Sequence, residues 1–207
     1  MQSYTPTAQL MNDVESALHD IARIRDQLAA STRFQGFAPP IVAVTGGMAA
    51  VLASWQTLRG ESGLLVWILL AAVSVLMIGT EAIVRARRVH RSMADRLINT
   101  TLQRFMPTAL AGALLGAVVL LRAPEFARFL PGLWQVQIAV GVFAVQGNLP
   151  RAMVWTAAFY FATGSAALLL QGDPAVPTPW LMGVPFALGQ VITAAILHHA
   201  AKGATDA

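Results

Sequence analysis

The stretch "LLVWILLAAVSVLMIGTEAIVRARRVHR", Leu64 to Arg91, decides how this chain folds. From Leu64 to Val84 it holds a single charged side chain, Glu81, and then Arg85, Arg87, Arg88 and Arg91 follow in quick succession. An α-helix needs about 20 mostly apolar residues to cross a hydrocarbon core about 30 Å thick. A run of that length closed by arginines is a membrane span arriving at a headgroup layer, where each cation near anionic lipid is worth about 1 kcal/mol.

The rest of the chain has the same character. Of 207 residues 56% are hydrophobic and 12% charged, against about 25% charged in a soluble domain. Five more apolar stretches, Pro39–Leu58, Met106–Leu121, Phe129–Val145, Pro150–Gln171 and Thr178–Ala200, have the length of a span. The expected fold is all-α: a polytopic membrane protein with six transmembrane helices plus an amphipathic N-terminal cytoplasmic helix. Residues 1–36 form the arm, residues 37–201 the membrane domain with a basic connection at 85–105, and residues 202–207 a short tail. The arm carries Asp13, Glu15, Asp20, Arg23, Arg25 and Asp26 and no continuous apolar core, so no cleavable signal peptide is expected there.

Arginine placement orients the chain. With the N-terminus in the cytoplasm, that side receives Arg23, Arg25, Arg33, the six arginines from Arg85 to Arg104, Arg151 and Lys202; the opposite side receives only Arg59, Arg122 and Arg128. This is the positive-inside asymmetry of a multi-pass protein of the inner (plasma) membrane with both termini cytoplasmic. Trp55, Trp67, Trp134 and Trp180 fall at the outer ends of their spans and Trp155 at an inner end, as aromatic belts do. The expected partners are therefore the bilayer and its anionic headgroups, met by Arg85, Arg87, Arg88 and Arg91. Nucleic acid is excluded because no folded module with groove-reading or stacking residues surrounds the basic run. Glu81 stands four residues before Arg85, the spacing of a helical ion pair.

In the arm, Leu10, Val14, Ala17, Ile21, Ile24 and Leu28 recur in steps of four and three, one narrow helical stripe. Such a short helix needs a surface to bury that stripe. A second subunit, the lipid surface, or the membrane domain's own basic connection would each serve.

Inside the membrane no span carries an acidic residue near its middle, so the signature of a proton- or cation-coupled carrier is missing. What remains polar is amide and hydroxyl: among others Gln135, Gln137 and Gln146 in the fourth span and Gln190 and Thr193 in the sixth. Gln135 and Gln146 would share one face of a continuous helix. Small residues at Gly112 and Gly116, at Gly183 and Ala187, and around Thr45–Gly47 mark close helix approaches and a tendency to form homo-oligomers. Paired fragments such as "FAP" at Phe37 and "FLP" at Phe129, or "LVW" at Leu65 and "MVW" at Met153, raise an inverted duplication of three spans.

Enzyme chemistry finds no foothold. Cysteine is absent. Ser165 lies about 21 Å into its span, at 1.5 Å per residue, while His198 and His199 close the sixth span on the cytoplasmic side, so nucleophile and base are far apart. His90, His198 and His199 offer no ligand pair at mid-bilayer, and neither metal nor other cofactor is expected.

Two functional readings follow. The first is a channel or transporter subunit for a small or lipophilic solute, with Gln135, Gln146, Gln190 and Thr193 lining its pathway. The second is a membrane-embedded regulatory or scaffold protein that docks a cytoplasmic protein partner through the arm and the arginine-rich connection.

Overall fold

The computed structural model describes residues 18–21, 38–61, 63–89, 94–170 and 178–205. Two compact units are present, Met1–Arg33 and Phe34–Ala207. In the first, residues 18–21 form one helical turn with Leu18 and Ile21 exposed. Leu10, Val14, Ala17, Ile24 and Leu28 lie outside the described residues.

Among its described residues the second unit consists of helices joined by short turns, with six helices long and apolar enough to cross a membrane. They are α1 (Pro39–Arg59), α2 (Leu64–Val89), α3 (Ala94–Arg122), α4 (Leu130–Ala144), α5 (Met153–Leu170) and α6 (Thr178–Thr205). The protein is thus an all-α multi-pass membrane protein. The end of the bundle holding the start of α1 and the α2 arginines is called the basic end below, and the other the far end.

Local chemistry sets the boundaries. α1 begins with Pro39 and Pro40, whose missing N–H groups have no helical acceptor to lose at a first turn. It stops at Gly60, where φ is +66°; there the Glu61 N–H returns to the Gln56 carbonyl at 2.9 Å and the Gly60 N–H to that of Thr57, a Schellman cap. Only glycine takes that left-handed conformation without a steric cost.

Several helices differ in length from their apolar runs. α2 continues through the arginines to Val89 and α3 begins at Ala94, because no glycine or proline stands between Glu81 and Met106 and alanine, leucine and arginine favour helix. α4 stops at Ala144, and Gln146–Asn148 form a separate 3-10 turn. Gln146 is therefore off the α4 helix and does not share a face with Gln135. α4 alone is too short to span; a 3-10 segment, Pro124–Phe129, completes its crossing. α5 starts at Met153, preceded by a turn in which the Met153 N–H reaches the Pro150 carbonyl.

Two antiparallel pairs make most of the packing, α1 with α6 and α4 with α5. In the first pair Val42 meets Ala194 and Leu197. A Cβ on Gly46 would come within 2.8 Å of the Gln190 Cβ, and one on Gly183 would collide with Ala53. In the second, a Cβ on Gly132 would stand 2.8 Å from the Gly164 carbonyl and one on Gly164 2.9 Å from the Gln135 Cβ. Such close backbone approach multiplies van der Waals contact, which drives helix association where lipid removes the hydrophobic incentive. α5 also packs on α6 and α3 on α4.

α2 is the exception. Only 6% of its most apolar stretch is buried against protein, against 33% in α1, α4 and α5. It leans lightly on α1 and α3. In a strict three-span duplication α1 would grip α2 as α4 grips α5; instead α1 takes α6, so helix pairing does not repeat between the halves.

Candidate functional site

α4 holds neighbours on two sides, α3 and α6, by side-chain hydrogen bonds. The Trp134 indole N–H donates to the Gly112 carbonyl at 3.1 Å, and the Gln137 amide to the Thr108 carbonyl at 3.0 Å, both on α3. Gly116 leaves room for the indole: a Cβ there would lie 2.9 Å from Trp134 Cζ2. The Gly112/Gly116 spacing thus makes a slot for a ring rather than a seat for another backbone.

On its other side α4 reaches α6. Gln135, fully buried, donates from Nε2 to the Leu181 carbonyl at 2.8 Å. Leu181 is four residues before Pro185, which has no N–H to give it. The orphan acceptor that a proline creates inside an α-helix is therefore satisfied from a different helix, as the low-dielectric setting demands.

Further along the same interface Thr156 and Tyr160 follow the buried face of α5, and Gln135 of α4 joins their row where it packs against Gly164. The Thr193 hydroxyl on α6 donates to the Gly189 carbonyl at 2.7 Å and lies 3.4 Å from the Thr156 hydroxyl. Tyr160, 2% exposed, sets its ring edge-on to Phe186 and fills the space over Gly189. Two atoms in this interface, Gln135 Oε1 and the Tyr160 hydroxyl oxygen, are buried with no hydrogen-bond partner among the described residues. From Thr156 to Gly164 the row covers about 12 Å of helix at 1.5 Å per residue. Val145, Leu149 and Met153 form an apolar cluster at the basic end, and Gly132 is pressed against Leu168 at the far end.

The residues singled out from sequence are not gathered in one place. Gln135 is in the row. Thr193 joins it through Thr156. Gln190 packs its Cβ toward Gly46 on α1. Gln146 sits in the turn beyond α4, its Nε2 donating to the Arg151 carbonyl at 3.0 Å while Oε1 has no partner among the described residues. Arg85 Nε lies 3.7 Å from Glu81 Oε1, both partly exposed; Arg87 and Arg88 are exposed, and Arg91 and His90 lie outside the described residues. His198 and His199 are exposed near the end of α6, and among the described residues no three His, Cys, Asp or Glu side chains are grouped as a metal site would require.

Tyr160 and Thr156 were missed in sequence because "TAAFYFATG" reads as a uniformly apolar run. A phenol seven residues inside a span was the available signal, since a tyrosine at an interface keeps its hydroxyl wet and one at that depth does not. The tryptophans also divide differently from a simple belt. Trp67 is 4% exposed and donates to Gln56 Oε1 at 2.7 Å, while Gln56 Nε2 donates to the Gly63 carbonyl at 2.8 Å. That arrangement clamps the α1–α2 turn.

A groove of about 470 Å³ lies between α1 and α2, lined by Met48, Val51, Trp55, Leu69 and Val73 among others. Its walls are hydrocarbon, suited to an acyl chain rather than to polar chemistry. Neither a protein-family model nor a curated protein or solved structure matches this chain.

Proposed function

We propose that this membrane protein passes a small solute across the bilayer along the interface of α4, α5 and α6. The reading is carried by one observation, the row of hydrogen-bonding groups on the buried face of α5 and its apolar closure at both ends. Helix association alone needs no such row; small residues and dispersion contacts suffice. A solute that sheds water to cross hydrocarbon, by contrast, requires replacement partners along its route, and a route closed at both ends by apolar side chains prevents free leakage. Pro185 places a break in the α6 hydrogen-bond ladder beside the row, where a helix bends most readily.

The test uses the natural absence of cysteine. A Thr156→Cys/Thr193→Cys pair replaces hydroxyls 3.4 Å apart, a separation compatible with a disulfide after small adjustment. In proteoliposomes loaded with a panel of small solutes, oxidation should stop the protein-dependent efflux and reduction restore it. Efflux that ignores the crosslink would refute this route. No efflux of any solute, together with capture of a soluble protein through residues 1–36, would favour the regulatory or scaffold reading.

A further inference from the structure

Resting on the passage reading above, we infer that the solute is a neutral molecule carrying an N–H or O–H donor beside a carbonyl or hydroxyl acceptor, the chemistry of a small amide, a urea or a polyol. The two unpartnered atoms set this requirement. An amide's oxygen and nitrogen can exchange places by a flip, but the carbonyl freed by Pro185 removes that freedom: facing Leu181 with Oε1 would set two acceptors against each other. Gln135 must therefore present Nε2 to α6. Its remaining buried, unsatisfied atom is an acceptor, Oε1.

Tyr160 supplies the complement. Its ring and hydroxyl lie against α6 at Gly189, whose carbonyl accepts from Thr193 at 2.7 Å. The phenol hydroxyl is left buried without a partner, with a hydrogen to give. Gln135 packs at Gly164, one α5 turn from Tyr160, but on α6 its amide meets Leu181 while the phenol stands against Gly189, eight residues or about 12 Å of rise further along. A solute moving along the row meets the acceptor and the donor in turn, and so needs one group of each kind.

Charge is excluded by the same interface. α4 and α5 contain no Asp, Glu, Lys or Arg, and α6 has none before Lys202. An ion there would lose its hydration with no counter-charge to replace it.

The experiment follows stopped-flow light scattering of proteoliposomes in gradients of urea, glycerol, sodium chloride and an impermeant osmolyte that reports water. Wild type, Tyr160→Phe, Gln135→Met and, as a control outside the row, Gln137→Met are compared. Urea entry should exceed that of protein-free vesicles and fall about fivefold or more in Tyr160→Phe and Gln135→Met, one neutral hydrogen bond being lost in each. Gln137→Met should keep the wild-type urea rate, and sodium chloride should stay excluded. Tyr160→Phe should melt no lower than wild type, since it removes an unpaired hydroxyl; this separates a ligand contact from a structural one. Water passing without urea or glycerol, salt entry, or unchanged urea flux in Tyr160→Phe would each overturn the assignment while leaving passage standing. Protein-free rates for water, urea and glycerol alike would remove passage and this assignment together.

Discussion

The Gln135 side chain donates 2.8 Å to the Leu181 carbonyl, the one acceptor that Pro185 strips of its own helical donor. A glutamine on α4 and a proline on α6 thus behave as one unit. Without the amide, the proline would leave a bare carbonyl in a medium that offers no water.

Gln135→Leu should accordingly cost about 1–2 kcal/mol, in the range of an interhelical hydrogen bond in membranes. Unfolding of the purified protein by a denaturing detergent measures it. In a Pro185→Ala background the restored backbone N–H serves Leu181 from within α6, so the same Gln135→Leu change should cost much less. Equal costs in both backgrounds would dissolve the link between the two residues.

Two adjacent glycines on α1 should respond oppositely to alanine. A Cβ on Gly46 would crowd Gln190 and the Ala187 carbonyl at 2.8 and 3.0 Å, whereas one on Gly47 meets nothing within 4 Å. Gly46→Ala should lower stability by about 1–3 kcal/mol, the usual result of overpacking. Gly47→Ala should be neutral or raise it by up to about 1 kcal/mol through helix propensity. Paired melting curves decide the matter.

At the α1–α2 turn, Trp67→Phe strips Gln56 Oε1 of its donor inside the protein and should cost about 1–3 kcal/mol. Trp55→Phe, on the exposed face of α1, should stay within about 0.5 kcal/mol. Of the two, only Trp67→Phe should change the unfolding midpoint appreciably.

Glu81 and Arg85 form a partly exposed pair one helical turn apart. Glu81→Gln should shift stability by no more than about 0.5 kcal/mol, because such pairs are largely offset by solvation and side-chain entropy. A larger loss in a detergent melt would assign the carboxylate another partner.

The six spans were legible because each needs only length and apolarity, and Leu64–Arg91 supplied both with a charged stop. The Glu81–Arg85 spacing likewise depends only on helix periodicity. Less visible was anything set by which helix meets which. Gln135 stood out in sequence as a polar residue, but its partner is a main-chain carbonyl on α6, and carbonyls leave no mark in a one-letter code. Pro185 was the trace it left. The Gly112/Gly116 spacing gave a small surface without saying that an indole would fill it. Tyr160 was hidden by its aromatic neighbours, and the shared face of Gln135 and Gln146 failed because the α-helix stops at Ala144, one residue before the expected Val145, and Gln146 falls in the 3-10 turn that follows.

The pairing of α1 with α6 also bears on how the chain is made. The helix synthesised first among the six finds its closest neighbour in the one synthesised last. During translation the Thr45, Gly46, Ala49 and Ala53 face of α1 must therefore wait in lipid, or against an insertion factor, until the ribosome has passed Thr205. α2, the most apolar span and the least covered, needs no such escort and can leave the translocon on its own.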